Sequence, residues 1–368
     1  MCSKNPYSYF NKYVLRTPLL PFNIYKQLTE QWDTNEEILK NTLQDIQVRE
    51  SIFLASPDLL TAVNKWLENK LDISKTTHLH YSVLKYITRM TTRCTPFGLF
   101  AGVSLGNLDE KTNISLKSRE QYERRTRLDM NYLLALTQHL IKNQAIRNQL
   151  KFFSNTSIYK IGDHYRYVEY EYVNSKRKHH LVGVKSSWHL DKVLMASKKG
   201  RTIAQLANEI NEDNTLELES CLLFINELID NQILISELEP SLCGIDILEY
   251  IINTLRNLNI ENDILETLIN VSNHLNEIDK SFINCISSYD KIIKQLEKIE
   301  VPFDLKYLFQ TDLKTTFESN TLSKELANKI NNILFLFNKM TLTQPKSLES
   351  EFKKAFYKRY ETRPVKLT

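Results

Sequence analysis

Arg89 and Arg93 stand four residues apart, with Thr95 two residues further on and the run Pro96-Phe97-Gly98-Leu99-Phe100-Ala101-Gly102 behind it. On a helix, a spacing of four places both side chains on neighbouring turns of one side. Two planar guanidinium forks there would suit a phosphate or a carboxylate gripped through paired hydrogen bonds, and Thr95 would add a hydroxyl at the helix exit. The plainer alternative is a pair of partly buried arginines matched to carboxylates. A second basic group, Arg119, Arg124, Arg125 and Arg127, precedes Leu128-Asp129-Met130 and is interleaved with Glu120 and Glu123. It reads as a solvated charged loop, or as a patch that follows phosphates with the Asp129 carboxylate at its edge.

Other chemistries lack their residues. There is no glycine-rich loop ending in G-K-[ST], no G-x-G-x-x-G after a strand and no G-x-S-x-G elbow, so nucleotide hydrolysis, dinucleotide chemistry and the α/β-hydrolase mechanism have no signature. His78 and His80 straddle an expected helix start and His179-His180 is a tandem in a strand region. None has the i, i+4 partner of a metalloprotease helix. The five cysteines, Cys2, Cys94, Cys221, Cys243 and Cys285, are scattered without a C-x-x-C pair, which disfavours zinc or a disulfide framework. No metal site is expected.

The elements that position these groups follow from periodicity. Tyr13 to Arg16 reads as extended, and Thr34 with Glu37 resembles a capping box. Val48 to Ala55 reads as a strand, and Ser56-Pro57 as the cap and first residue of a helix reaching about Lys70. Leu79, Val83, Tyr86, Ile87 and Met90 form the stripe of the helix that carries Arg89 and Arg93, with Arg93 close to that stripe and Pro96 as its stop. Leu99 to Leu105 then reads as a strand. From Phe152 the pattern predicts short strands at Ser157–Lys160, Tyr165–Val173 and His180–Lys185, then helices near Leu190–Ser197, Thr202–Ile210 and Thr215–Asp230, then a strand at Ile233–Ser236. Strands with three helices in so few residues suggest a winged-helix-like module. Beyond Leu242 the pattern is helical, over Ile245–Leu258, Ile264–Leu275, Phe282–Ile299, Ser323–Phe337 and Phe352–Tyr360, interrupted by a strand over Tyr307–Leu313 that holds Asp312.

The 368 residues, 42% hydrophobic and 25% charged, have the balance of a globular chain and the length of two or three domains. No run approaches the roughly 20 apolar residues of a membrane span and the N-terminus lacks a secretory signal, so a cytosolic location is expected. A net charge of +4 is too mild to announce nucleic acid by itself. Thr202 to Tyr250 holds no Lys or Arg, while Lys176, Arg177, Lys178 and Lys185 precede it. An acidic helical part beside a basic strand fits a peptide added at a strand edge better than duplex DNA.

A resemblance rests on these same residues. Leu15-Arg16-Thr17-Pro18, Arg89 to Thr95 running into Thr95-Pro96-Phe97-Gly98-Leu99-Phe100-Ala101-Gly102, Leu128-Asp129-Met130 and Phe309-Gln310-Thr311-Asp312-Leu313 resemble motifs of the N-terminal region of lantibiotic dehydratases. The resemblance implies glutamyl-tRNA-dependent glutamylation of Ser and Thr in a ribosomally made precursor peptide, followed by elimination of glutamate. It implies a glutamylation site of Arg16, Arg89, Arg93, Thr95, Asp129 and Asp312, with Arg124, Arg125 and Arg127 toward tRNA. It also implies a leader-binding element in which the peptide joins as a strand, at His180, Val182 and Val184 on the third strand and Leu218, Leu222 and Ile225 on the third helix. No cofactor is implied, because the tRNA ester already activates the acyl group.

The expected architecture is therefore α+β, with mixed sheets, packed helices and the embedded winged-helix-like module. Its divisions are residues 1–150 and 240–368 for the glutamylation part and 151–239 for leader recognition. Family enzymes run far beyond this length, so the elimination domain is expected elsewhere: this is a truncated chain, a degenerate product or half of a split enzyme. The partners implied are the precursor peptide, glutamyl-tRNA, the elimination domain, a cyclase and transporter, and a second copy in a homodimer. A peripheral place at the membrane within such a complex is the variant location. A leader-binding scaffold without activity is the rival reading.

Overall fold

Ser56 shows how local chemistry sets this fold. Its backbone is extended and its hydroxyl accepts the N–H of Leu59, with Pro57 at the first helical position, so one helix ends and the next begins at a single residue. The computed structural model describes residues 5–30, 35–173, 176–211, 216–240, 244–258, 263–342 and 347–365. It starts with β1 (Lys12–Pro18), α1 (Phe22–Glu30) and α2 (Asn35–Thr42). Thr34 of the expected capping box lies outside the described residues.

α3 (Ile46–Ala55) occupies the stretch expected as a strand. Asp45 caps it, and Gln47, Val48, Glu50, Ser51, Ile52 and Phe53 are all buried. A helix covered on every side shows no apolar stripe, so its short run has the look of a buried strand. α4 (Pro57–Leu67) and α5 (Ile73–Thr92) follow, α5 burying Leu79, Val83, Ile87 and Met90 along one side. His78 and His80 lie inside α5 rather than at its start. The helix ends at Thr92, so Arg93 is extended rather than helical, and it is exposed rather than set against the apolar stripe.

β2 (Ala101–Asp109), β3 (Asn113–Leu116) and β4 (Glu123–Leu128) come next, then α6 (Met130–Lys142) and α7 (Gln144–Arg147). β5 (Phe152–Ser154), β6 (Tyr159–Ile161), β7 (His164–Val173) and β8 (Lys176–Lys185) precede α8 (Trp188–Ala196), α9 (Ile203–Ile210), α10 (Leu218–Asp230) and β9 (Leu234–Ser236). β6, β7 and β8 form an antiparallel sheet in that order, turning at Gly162 with φ +59°, and β5 pairs antiparallel with β9. Thr202 and Gln205 cap α9 reciprocally. The chain continues through α11 (Ile247–Arg256), α12 (Asp263–Asp279), α13 (Ile286–Glu297), β10 (Phe309–Lys314), β11 (Phe317–Ser323), α14 (Lys324–Met340) and α15 (Leu348–Tyr360). β11 has no counterpart in the sequence reading, because Ser319, Asn320 and Thr321 break its apolar alternation.

Two units are compact in themselves, one of Met1–Leu15, Val103–Lys117 and Thr316–Thr368, the other of Arg16–Gly102 and Ser118–Thr315. In the first, β11 runs parallel to β2 over Thr321–Ser323 and antiparallel to β3. Tyr13 lies against Gly106, where a Cβ would meet the ring. The second unit holds the hydrophobic core, from Leu19 to Leu313. There β4 and β10 pair antiparallel, with Asp312 opposite Arg125 and Phe309 opposite Leu128. Among the described residues no helix is long and apolar enough to cross a membrane.

Candidate active site

Alternation along β4 decides what its arginines can do. Successive side chains of a strand face opposite sides, so Arg124 and Thr126 turn inward while Arg125 and Arg127 turn outward. The Arg124 side chain has no accessible surface. It donates to Glu50 Oε1 at 2.6 Å, to the Tyr289 hydroxyl at 2.5 Å and to the Phe282 carbonyl at 3.3 Å. This corrects the expectation of Arg124 on a tRNA-facing surface, since a fully enclosed guanidinium offers a phosphate nothing. Burial pushes the Glu50 carboxyl above its ordinary range, against the pull of Arg124 and the Tyr289 hydroxyl.

Arg125 and Arg127 do reach the surface. Arg127 Nη1 pairs with Asp312 Oδ2 at 2.7 Å across the ladder, and Arg125 Nη2 stands 3.4 Å from Asp246 Oδ2. A cleft of about 360 Å³ opens beside them, lined also by Asn253, Arg256 and Asn276. A neighbouring hollow of about 380 Å³ shares Arg125, Arg127 and Asp246 and takes in Met130 and Gln310. Asp246 and Arg256 were not singled out by sequence. Asp246 is the N-cap of α11 and Arg256 its last residue, and only the approach of that helix to β4 makes them part of a cleft.

Asp129 sits at the far end of β4. It caps α6, its Oδ1 accepting from the Asn131 N–H at 2.9 Å and from Asn131 Nδ2 at 2.8 Å, and its own N–H donates to the Leu308 carbonyl. Asp312 lies four ladder positions from that contact, roughly 13 Å along the strand, so the two carboxylates are not a close pair.

Arg89 in the last turn of α5 and Arg93 just beyond the helix precede the Thr95-Pro96-Phe97-Gly98 turn. The segment just after β1 is tied to both sides of it, the Leu20 N–H donating to the Met90 carbonyl and the Leu19 N–H to the Phe100 carbonyl, each at 2.9 Å. Arg16, three residues before Leu19, has an exposed side chain. The Arg89 guanidinium covers the Phe97 ring at 4.1 Å, and Phe97 meets Phe100 edge-on at 5.3 Å. Arg89 Nε is buried without a hydrogen-bond partner. Arg93 and Thr95 are exposed. Lys306 is raised above the ordinary lysine range mainly by Tyr307, with a smaller push from Tyr86. Among the described residues, neither Asp129 nor Asp312 is ion-paired with Arg16, Arg89 or Arg93.

The expected leader-binding residues divide in two. β8 is the outer strand of its sheet, with Val182 and Val184 half-buried against the core and His180 exposed, its Nε2 3.0 Å from Glu171 Oε1. On α10, Leu218 is exposed and Leu222 half-buried, but Ile225 is 0% exposed. Ile225 is a core residue, which corrects its expected contact with a peptide. Leu223 on the same helix is 62% exposed. Among the described residues, no cluster of His, Cys, Asp and Glu could hold a metal ion.

Comparison with known proteins places these motifs. The family model for the N terminus of lantibiotic dehydratases matches residues 44–368. The epidermin biosynthesis protein EpiB of Staphylococcus epidermidis is 27% identical over 89% of this chain and 32% of its own length. The subtilin biosynthesis protein SpaB of Bacillus subtilis is 24% identical over 88% of this chain and 31% of its own. This chain thus spans about a third of these relatives. The crystal structure of MibB from Microbispora sp. 107891, a tRNA-dependent lantibiotic dehydratase, superposes with a TM-score of 0.78 at 20% identity, over 97% of this chain and 34% of that one. The glutamylation domain TbtB from thiomuracin biosynthesis gives 0.57 at 13% identity, over 83% and 37%.

Proposed function

Because this chain belongs to the lantibiotic dehydratase family, through that family's N-terminal region, we propose that it carries the glutamylation half-reaction. Glutamate passes from glutamyl-tRNA to a Ser or Thr hydroxyl of a leader-bearing precursor peptide. The peptide oxygen attacks the acyl carbon, the ester to the tRNA ribose breaks, and the hydroxyl proton ends on the departing ribose oxygen. No ATP enters this step. The observation that carries the reading is the fold shared with the tRNA-dependent dehydratase MibB over 97% of this chain.

In this reading, Arg16, Arg89 and Arg93 around the Thr95 turn hold the tRNA end and the glutamyl carboxylate, and Arg125 and Arg127 continue the basic surface. Holding ester and hydroxyl together supplies much of the barrier reduction. Asp129 orients the first turn of α6, and Asp312 has one oxygen committed to Arg127. The precursor leader adds as a strand beside β8, against α10, within a winged-helix-like module. Elimination falls to a separate part of the dehydratase, with a cyclase and transporter downstream.

The test is mass spectrometry of a precursor peptide incubated with this chain, glutamate, glutamyl-tRNA synthetase, ATP and tRNA. Glutamyl adducts support the proposal. A second reading, a leader-binding scaffold without transfer, is favoured by the outer position of β8 in its sheet and by the exposed Leu218 and Leu223 on α10. Peptide that binds but stays unmodified would select it.

A further inference from the structure

The cleft beside β4 holds charges that balance. Arg125, Arg127 and Arg256 line it together with Asp246, Glu249 and Asp279, and Arg127 is further matched by Asp312 at 2.7 Å. Phosphates are held by cations that carboxylates do not already neutralise, so this cleft suits an uncharged ligand better than an RNA backbone. Its uncharged polar groups are mostly of one kind. Asn253 stands on α11, and Asn273 and Asn276 stand three residues apart on one side of α12. All three are exposed. Asn253 Oδ1 accepts from Arg256 Nη1 at 3.3 Å, which leaves its Nδ2 to donate, and among the described residues the amides of Asn273 and Asn276 have no hydrogen-bond partner. A side-chain amide presents donor and acceptor together, the complement of a main-chain peptide group.

The strand beside the cleft does not supply that match itself. β4 pairs with β10 on one side, and on the other Asp279 accepts the Thr126 N–H at 2.8 Å, which closes this edge to strand addition at its middle. An extended chain lying here is held by side chains instead. The neighbouring hollow shares Arg125, Arg127, Leu128 and Asp246 with the cleft and reaches Met130 and Gln310. Met130 follows Asp129, and Gln310 lies on the same exposed face of β10 as Asp312. Together the two hollows make a groove that leads from the asparagines toward the motif carboxylates.

We propose that this groove holds the hydroxyl-bearing segment of the precursor peptide, extended and uncharged, with the side-chain amides of Asn253, Asn273 and Asn276 bonded to its main chain. The leader is anchored elsewhere, at β8 and α10. Recognition through the main chain leaves the Ser and Thr hydroxyls free to meet the acyl carbon. The identity of this peptide rests on the glutamylation reading, whereas the affinity of the groove for an extended uncharged chain does not.

The test uses a leaderless probe, a capped peptide of Gly, Ser and Thr with a diazirine-bearing residue at its centre, irradiated with the full chain and mapped by tryptic mass spectrometry. No tRNA is present. Cross-links are expected in α11 and α12. The same peptide with N-methylated amides should label about tenfold less, having lost its donors, and so should the parent peptide with the double variant Asn273→Lys, Asn276→Lys. Both positions are exposed, so circular dichroism of the variant should match the parent. Absent labelling, labelling confined to other segments, or labelling undiminished by N-methylation or by the double variant would each overturn the proposal. Displacement of the peptide by oligouridylate, with tighter oligonucleotide binding by the lysine variant, would give the groove to RNA and overturn it too. Labelling without glutamyl transfer would count against the transfer reading alone, and transfer without labelling against this proposal alone.

Discussion

Arg124 and Glu50, 74 positions apart in the chain, form an ion pair at 2.6 Å in which neither side chain has accessible surface. Two charges so enclosed cost several kcal/mol to desolvate, and their attraction offsets this only with further hydrogen bonds. Tyr289 supplies one, its hydroxyl donating to Glu50 Oε1 at 2.7 Å while accepting from Arg124. Removal of one partner should therefore be costly. Arg124→Ala is expected to destabilise the protein by about 3–5 kcal/mol, read from urea unfolding. A loss under 1 kcal/mol would contradict this account.

Asp279 makes a pH prediction. Both its oxygens accept from the Thr126 N–H, at 3.0 and 2.8 Å, yet partial burial raises its carboxyl above the ordinary 3.8. The folded state then holds this proton more tightly than the unfolded state. The contribution is fully present below pH 3.8 and is lost as pH rises through the raised folded value. Relative to Asp279→Asn, the parent should lose unfolding free energy over that window. Denaturation curves from pH 3 to 7 measure the difference, and parallel curves would refute it.

Arg93 and Ile225 separate the site from the core. Arg93→Ala should abolish glutamyl transfer while leaving leader affinity and unfolding unchanged, because the side chain is exposed. Ile225→Ala should cost about 2–5 kcal/mol through the cavity it leaves. Leu223→Asp on the exposed side of the same helix should weaken leader binding without that loss. Calorimetry with the leader peptide and thermal melts of the three variants check the pattern.

Gly102→Ala tests close packing beside β10. A Cβ there would stand 2.8 Å from Leu313 Cγ and from Thr315 Cγ2 and 3.0 Å from the Leu313 carbonyl oxygen. Overpacking of this kind costs about 1–3 kcal/mol. An unchanged melting temperature would show that the neighbours yield freely.

Ionic strength should distinguish the two ligands. Affinity for tRNA, carried by arginines on phosphates, should fall steeply between 50 and 200 mM salt, by about 10³-fold if some six phosphates are neutralised. Leader affinity, carried by strand pairing and apolar contact, should change little. Filter binding and fluorescence anisotropy give the two slopes.

Much of this protein was legible before any coordinates. Ser56-Pro57, the Thr202–Gln205 capping box and the stripe of Leu79, Val83, Ile87 and Met90 mark elements through contacts a few residues long, which sequence records directly. The Thr95 to Gly102 run named the family. By contrast, α3 was hidden because burial on all sides removes periodicity, and β4 because its arginines had the look of a solvated loop. Sequence alone determined the elements with a clear cap or stripe, the family and the motif residues, since these depend on local chemistry and pattern. Only the tertiary structure decided that Arg124 is sealed against Glu50 while Arg127 meets Asp312, that Ile225 is core and that α14 is uncovered. Burial and pairing depend on which distant segments meet, and no local spacing contains that information.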